Sequence, residues 1–171
     1  MDSLNNPYRG VGIPGLWAAK PVWPSVDETA CKGFLASWPD FAETPLTETA
    51  LPDGHGVLHL KDEGQRMGLG SFKALGAAYV ISCAAQNGDV SDRVFIAASA
   101  GNHGLSLAAG AKMFGARAVI VLAETVPESF AERLRSIGAE VVRAGAIYED
   151  SMTEAMRLAD VNGWTLLSDS S

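Results

Sequence analysis

From Gly56 onward, apolar and polar residues arrive in two alternating rhythms. Short apolar runs of strand length are followed by longer stretches in which apolar positions recur every three to four residues, the spacing of one helix face. Val57-Leu58-His59-Leu60 reads as a short strand, and 93–98 (Arg-Val-Phe-Ile-Ala-Ala) as a buried strand. Ser71 is placed to cap a helix running from about 72 to 86, closed by Asn87-Gly88. A glycine-rich turn, Ser99-Ala100-Gly101-Asn102-His103-Gly104, opens a helix over 104–114, and 116–122 is again a strand. Pro127 stands at the first position of a helix that ends at Gly138. A strand over 140–143, a helix over 148–162 and a last strand over 164–167 complete the series.

Repeated strand–helix units joined by short glycine turns imply an α/β fold, a doubly wound and mostly parallel sheet with helices on both faces and right-handed crossovers. Residues 1–50 have a different texture, with prolines at 7, 14, 21, 24, 39 and 45 and tryptophans at 17, 23 and 38. They read as an irregular arm with at most one short helix, near 26–37. The tryptophans argue that the arm is ordered against a body, since disordered segments are poor in aromatics. The expected organisation is therefore an arm over 1–50, a strand and a lysine-bearing helix over 51–90, and a small α/β domain over 91–168. The alternation stops at Ser171, just after a strand. The expectation is the front part of a longer protein, or one half of a two-chain assembly.

Composition narrows the class. The chain has 171 residues, 47% hydrophobic, which suits about one domain with a sizeable core. No apolar run approaches the roughly 20 residues of a membrane span, and Met1-Asp2-Ser3-Leu4-Asn5-Asn6 carries no signal n-region. Two cysteines, Cys31 and Cys83, are too few and too far apart for a disulfide scaffold or a zinc site, and Cys83 lies on an apolar helix face. His55 and His59 have no third ligand nearby, so no metal is expected. With 13 basic against 20 acidic residues, a net charge of −7 and no Lys/Arg run, a nucleic-acid partner is not expected either. A cytoplasmic protein is the reading.

Two places could carry chemistry. Lys73, in Gly70-Ser71-Phe72-Lys73-Ala74-Leu75-Gly76, falls on the first turn of its helix, where its charge faces the positive end of the dipole. Apolar neighbours would dry part of its surroundings, favouring a neutral, nucleophilic amine suited to a Schiff base. The alternative is a surface lysine that snorkels. The turn 99–104 follows a buried strand, at the sheet edge where ligands of open α/β sheets bind. Its backbone N–H groups could hold a carboxylate or phosphate; the alternative is an ordinary tight turn. His103 could act as a general base or hydrogen-bond the loop. Asp62, Glu63 and Arg66 read as a charge cluster on a solvated loop.

In order and spacing, Thr44-Pro45-Leu46, Leu60-Lys61-Asp62-Glu63, Gly70-Ser71-Phe72-Lys73, Ser99-Ala100-Gly101-Asn102-His103-Gly104, Val126-Pro127-Glu128 and Ile137-Gly138-Ala139-Glu140-Val141-Val142 resemble the pyridoxal-phosphate enzymes of the tryptophan-synthase-β and threonine-dehydratase fold, fold type II. The match covers most of 34–169. The stretch Lys61-Asp62-Glu63-Gly64-Gln65-Arg66-Met67-Gly68-Leu69, with Phe34-Leu35-Ala36-Ser37-Trp38-Pro39 upstream, is more similar to the diaminopropionate ammonia-lyases than to threonine dehydratases.

The resemblance implies pyridoxal 5'-phosphate as cofactor, carried by Lys73 as an internal aldimine, with Phe72 near its ring and Asn102 on its phenolic oxygen. It further implies that Ser99, Ala100, Gly101 and His103 receive the substrate carboxylate. Asp169 is implied as an acid/base on one substrate enantiomer. The implied activity is αβ-elimination on a small amino acid such as 2,3-diaminopropionate, giving a 2-oxo acid and ammonia, in a homodimeric full-length enzyme. Two departures stand out. Ala100 occupies the place where the lyases carry an aspartate, as in threonine dehydratases, which keeps a serine, threonine or hydroxyaspartate dehydratase open. The family's glycine-rich phosphate loop and pyridine-nitrogen partner have no counterpart in this sequence, which keeps a non-catalytic fragment or partner subunit open.

Overall fold

A computed structural model describes residues 28–168 apart from 53 and 55. Most of the proline-rich arm, with Trp17 and Trp23, lies outside the described residues, as does Asp169. Helix α1 (Glu28–Ser37) is followed by strands β1 (Leu46–Ala50) and β2 (Val57–Lys61). A 3-10 turn (Phe72–Leu75) then runs into α2 (Gly76–Gln86). The alternating series is β3 (Val94–Ala98), α3 (Asn102–Met113), β4 (Arg117–Leu122), α4 (Glu128–Ile137), β5 (Glu140–Arg143), α5 (Tyr148–Asn162) and β6 (Thr165–Leu166).

The last four strands form one parallel sheet in the order β5-β4-β3-β6. All five residues of β3 are buried, the mark of a strand covered on both faces. Alternate side chains divide between two cores, as the strand period of two requires. Phe95, Ala97, Ala118, Ile120 and Leu122 pack with Leu105, Leu107, Ala108 and Ala111 of α3 and with Ala131 and Leu134 of α4. Val94, Ile96, Ala98, Val119 and Val121 pack against Ala155 and Ala159 of α5. This is the α/β sheet that the periodicity implies.

Helix α2 lies outside α3, and α1 outside α2. Phe34 and Trp38 are buried with Met67, Ala74 and Ala78, so the end of the arm that is described does pack on the body. The α2–α3 crossing is tight: a Cβ on Gly110 would stand 2.8 Å from the Ala78 Cα.

Four local readings change. Leu46–Ala50 is not irregular but pairs antiparallel with β2, from Leu46 opposite Lys61 to Ala50 opposite Val57; the pairing partner lies beyond the local window in which proline dominated the reading. The lysine-bearing helix begins as a 3-10 turn instead of continuous α-helix. Helix α3 starts two residues early, at Asn102, and β6 is shorter than 164–167. Cys83 is half-buried, and both cysteines are free thiols.

Candidate active site

The sheet order creates a crevice. From β3 the chain passes through α3 to β4 on one side, whereas α5 returns it to lay β6 on the other side of β3. The strand order therefore reverses between β3 and β6, and ligands of open α/β sheets bind outside the carboxyl ends of the strands at such switch points. A cavity of about 340 Å³ lies here, lined by Phe72, Lys73, Gly76, Ala77, Val80, His103, Leu167 and Ser168.

Lys73 reaches this cavity because Ser71, in extended conformation (φ −159°), stops the preceding loop and accepts the Lys73 amide on its Oγ at 3.2 Å. Lys73 itself is half-buried. Lys73, Gly76, Ala77 and Val80 follow one helix face at three- and four-residue spacing. This face contributes three lining residues that the sequence reading overlooked, although that spacing was available to find them. Leu167 and Ser168 form the opposite wall; no local signal places them there, since β6 must first pair beside β3.

His103 is buried, and its Nε2–H donates to the Leu167 carbonyl at 2.9 Å. The Leu167 amide in turn donates to Ile96 O of β3 at 2.9 Å. The histidine thus ties the start of α3 to the segment after β6 and forms part of the cavity wall. The observed partner is thus the segment after β6 and not the turn 99–104 itself.

The other residues of the glycine-rich turn divide. Ser99 Oγ accepts from the amides of Gly101 (3.3 Å) and Gly104 (3.2 Å), so its hydroxyl shapes the turn. Ser99 and Ala100 line a second cavity, of about 260 Å³, with Val121, Ala123, Thr125, Val126, Tyr148 and Ser151 among its walls. Gly101 and Asn102 are exposed and line neither cavity. Phe72, 63% exposed, presents its ring at the rim beside Lys73.

Asp62 is exposed, as a solvated loop implies, but Glu63 is half-buried and Arg66 is buried. Arg66 is only 8% exposed. Its Nε and Nη2 donate to the two Glu63 carboxylate oxygens at 2.6 and 2.7 Å, and Nη2 also reaches Thr44 Oγ1 at 2.8 Å. The Thr44 hydroxyl donates to Glu63 Oε1 at 2.7 Å, and Lys61 Nζ to the Thr44 carbonyl. The Arg66 guanidinium first, then the Thr44 hydroxyl, hold the Glu63 carboxyl down to about 2. This network fastens the segment entering the lysine turn to the start of β1. Met67, buried and in the left-handed region (φ 50°, ψ 31°), sits inside the same segment.

Chemically, a lysine lining a cavity otherwise walled by Phe72, Gly76, Ala77, Val80 and Leu167 suits a planar aromatic aldehyde, which condenses with a primary amine and stacks on apolar surface. Among the described lining residues the remaining polar groups are His103 and Ser168, so the amine and ring ends of such a cofactor are provided for here. No group of three or more His, Cys, Asp or Glu among the described residues could hold a metal ion, and no described helix is long and apolar enough to cross a membrane.

Comparison with known proteins agrees with that chemistry. The family described as "Pyridoxal-phosphate dependent enzyme" matches residues 38–171. Diaminopropionate ammonia-lyase of Salmonella typhimurium is 34% identical over 159 residues, covering 80% of this chain and 39% of that protein. The apo crystal structure of the Escherichia coli diaminopropionate ammonia-lyase superposes with TM-score 0.73 at 26% identity, over 84% of this chain and 44% of the other. Threonine deaminase isoform 2 of Solanum lycopersicum gives TM-score 0.69 at 28% identity, over 87% and 42%. The chain therefore spans about two fifths of the length of these proteins. A lysine held at the switch point of a parallel sheet, in a chain matched by the family profile over most of its length, makes this chain a member of the pyridoxal-phosphate dependent enzymes of fold type II.

Proposed function

We propose that this chain is the lysine-bearing part of an enzyme that removes a β-substituent from a small amino acid, 2,3-diaminopropionate first, to give a 2-oxo acid and ammonia. The observation that carries the reading is Lys73 in the switch-point cavity, in a chain similar to two diaminopropionate ammonia-lyases. When bound, pyridoxal phosphate supplies the electron sink for negative charge at the substrate Cα. Lys73 holds the cofactor and moves the Cα proton on its Nζ. Phe72 shields the ring from water. The family resemblance assigns Asn102 to the cofactor's phenolic oxygen and the Ser99–His103 turn to the substrate carboxylate; of these residues His103 is the one that lines the Lys73 cavity, and the Gly101 and Gly104 amides are held by Ser99 Oγ. Asp169, which follows the cavity residue Ser168 in the chain, is assigned as the second acid/base. For diaminopropionate, loss of the β-amine as one ammonia and hydrolytic release of the α-amine as a second, with one water consumed, complete the balance.

The domain reading belongs to the same proposal: an arm over 1–50, the lysine segment over 51–90 and a small domain over 91–168. The phosphate-holding region would come from the part of the relatives' length that this chain does not span. Cytoplasmic location and a homodimeric complete enzyme go with this reading.

The test is to incubate the chain with pyridoxal phosphate, reduce with borohydride and map the adduct by mass spectrometry. The expected result is an adduct on Lys73 that Lys73→Ala abolishes; an adduct spread evenly over Lys32, Lys61 and Lys112 refutes it. A second reading, a serine, threonine or hydroxyaspartate dehydratase, is favoured by Ala100 and by the likeness to threonine deaminase. It requires the complete enzyme to turn over hydroxy-amino acids faster than diaminopropionate. A Lys73 adduct with no turnover of either class in the complete assembly would favour the third, a non-catalytic partner chain.

A further inference from the structure

Ser106 lies in the middle of α3 and is fully buried. A buried hydroxyl needs hydrogen-bond partners, and a mid-helix serine ordinarily finds one on its own helix. Ser106 instead reaches across to the lysine segment, 32 residues away in sequence. Its Oγ donates to the Ala74 carbonyl at 3.1 Å and accepts from the Ala78 amide at 3.4 Å. Ala74 and Ala78 are the two partners that an uninterrupted α-helix joins to each other. The serine hydroxyl meets both, where the backbone changes from the 3-10 turn carrying Lys73 to α2. A side chain inserted into a helix ladder is a recognised cause of such a break.

Two neighbours of Ser106 on α3 frame the join. One turn along α3, Gly110 lets the α3 backbone press on Ala78, with room for no Cβ. One turn the other way, His103 lines the same cavity as Lys73. Ser106 thus stands between the wall of the site and the turn that bears its amine.

We propose that Ser106 is a positioning residue for Lys73: by bridging Ala74 O and Ala78 N–H it holds the lysine turn out of the α2 helix and sets the direction of the amine into the cavity. The consequence for catalysis rests on the reading of Lys73 given above, whereas the positioning itself does not.

The experiment is competitive trace acetylation of the whole chain, read lysine by lysine by mass spectrometry, in wild type, Ser106→Ala, Ser106→Cys and Ser82→Ala. Ser82 is an equally buried serine whose Oγ donates to Tyr79 O within α2, away from the lysine turn, so it reports simple loss of a buried hydroxyl. In Ser106→Ala the Lys73 labelling rate is expected to change about three- to tenfold, the factor that one net hydrogen bond represents. Lys32, Lys61 and Lys112 should keep their rates, and Ser82→Ala should leave Lys73 unchanged. Ser106→Cys, which keeps the volume and a weak donor, should fall between wild type and Ser106→Ala and serves if the alanine variant does not fold. Unchanged Lys73 labelling in the Ser106 variants, or an equal change in Ser82→Ala, overturns the proposal. The pyridoxal-phosphate adduct is scored separately. A labelling shift without a wild-type adduct defeats the enzyme reading alone, and an adduct without a labelling shift defeats the positioning role alone.

Discussion

Gly104 occupies the first turn of α3, and the structure leaves no room there for a side chain. A methyl group on it would stand 2.5 Å from the Ser99 carbonyl oxygen, with Leu134 Cδ2 at 3.4 Å and Ile120 Cγ2 at 3.5 Å closing the other directions. Ordinary contact begins near 3.4 Å, a shortfall of about 0.9 Å against backbone that cannot swing aside. Gly104→Ala must therefore shift α3 or the turn 99–101, both held by Ser99 Oγ. Overpacking of this kind costs about 1–3 kcal/mol, and the better helix propensity of alanine offsets up to about 1 kcal/mol. The expected net loss is about 1–2 kcal/mol, or a fall in Tm of roughly 2–8 °C for a chain of this size. Thermal and urea unfolding followed by circular dichroism measure it. Gly33→Ala in α1 is the control, since nothing lies within 4 Å of its added Cβ; it should gain about 0.5–1 kcal/mol. Gly104→Ala as stable as wild type would show that the turn does not press on α3 as described.

Two more outcomes follow from the packing and the charges. Because the folded Glu63 carboxyl titrates at about 2 against an ordinary 4.5, its contribution to stability is present above 4.5 and is lost as pH falls towards 2. Urea midpoints between pH 5 and 3 should therefore fall less steeply in Glu63→Gln than in wild type, and equal slopes refute the network. Phe34→Ala removes a buried ring that lies 5.7 Å from both Trp38 and Tyr79. It should cost about 3–5 kcal/mol by urea unfolding; a loss under about 1 kcal/mol, the range of a surface substitution, would mean that α1 is not docked on α2.

Element types and most boundaries could be read before any coordinates, because hydrophobic period and end signals act over a few residues. Strand 140–143 and helix 148–162 coincide with β5 and α5, and Gly138 ends α4 in the left-handed conformation a glycine at that place announces. The family was legible for the same reason: its motifs are short runs of residues in fixed order. What only the tertiary structure decided lies in contacts between distant segments. Strand β1 exists because β2 pairs with it, and that same pairing sets Thr44, just before β1, against Glu63 and Arg66, just after β2. The far wall of the cavity depends on β6 crossing to the free side of β3. Ser99 and Ala100 share a motif with His103, yet a helix start turns neighbouring residues to different sides, and they face a different cavity. The lysine turn departs from α-helix at Ser106's hydroxyl, a partner no window of local sequence around Lys73 contains.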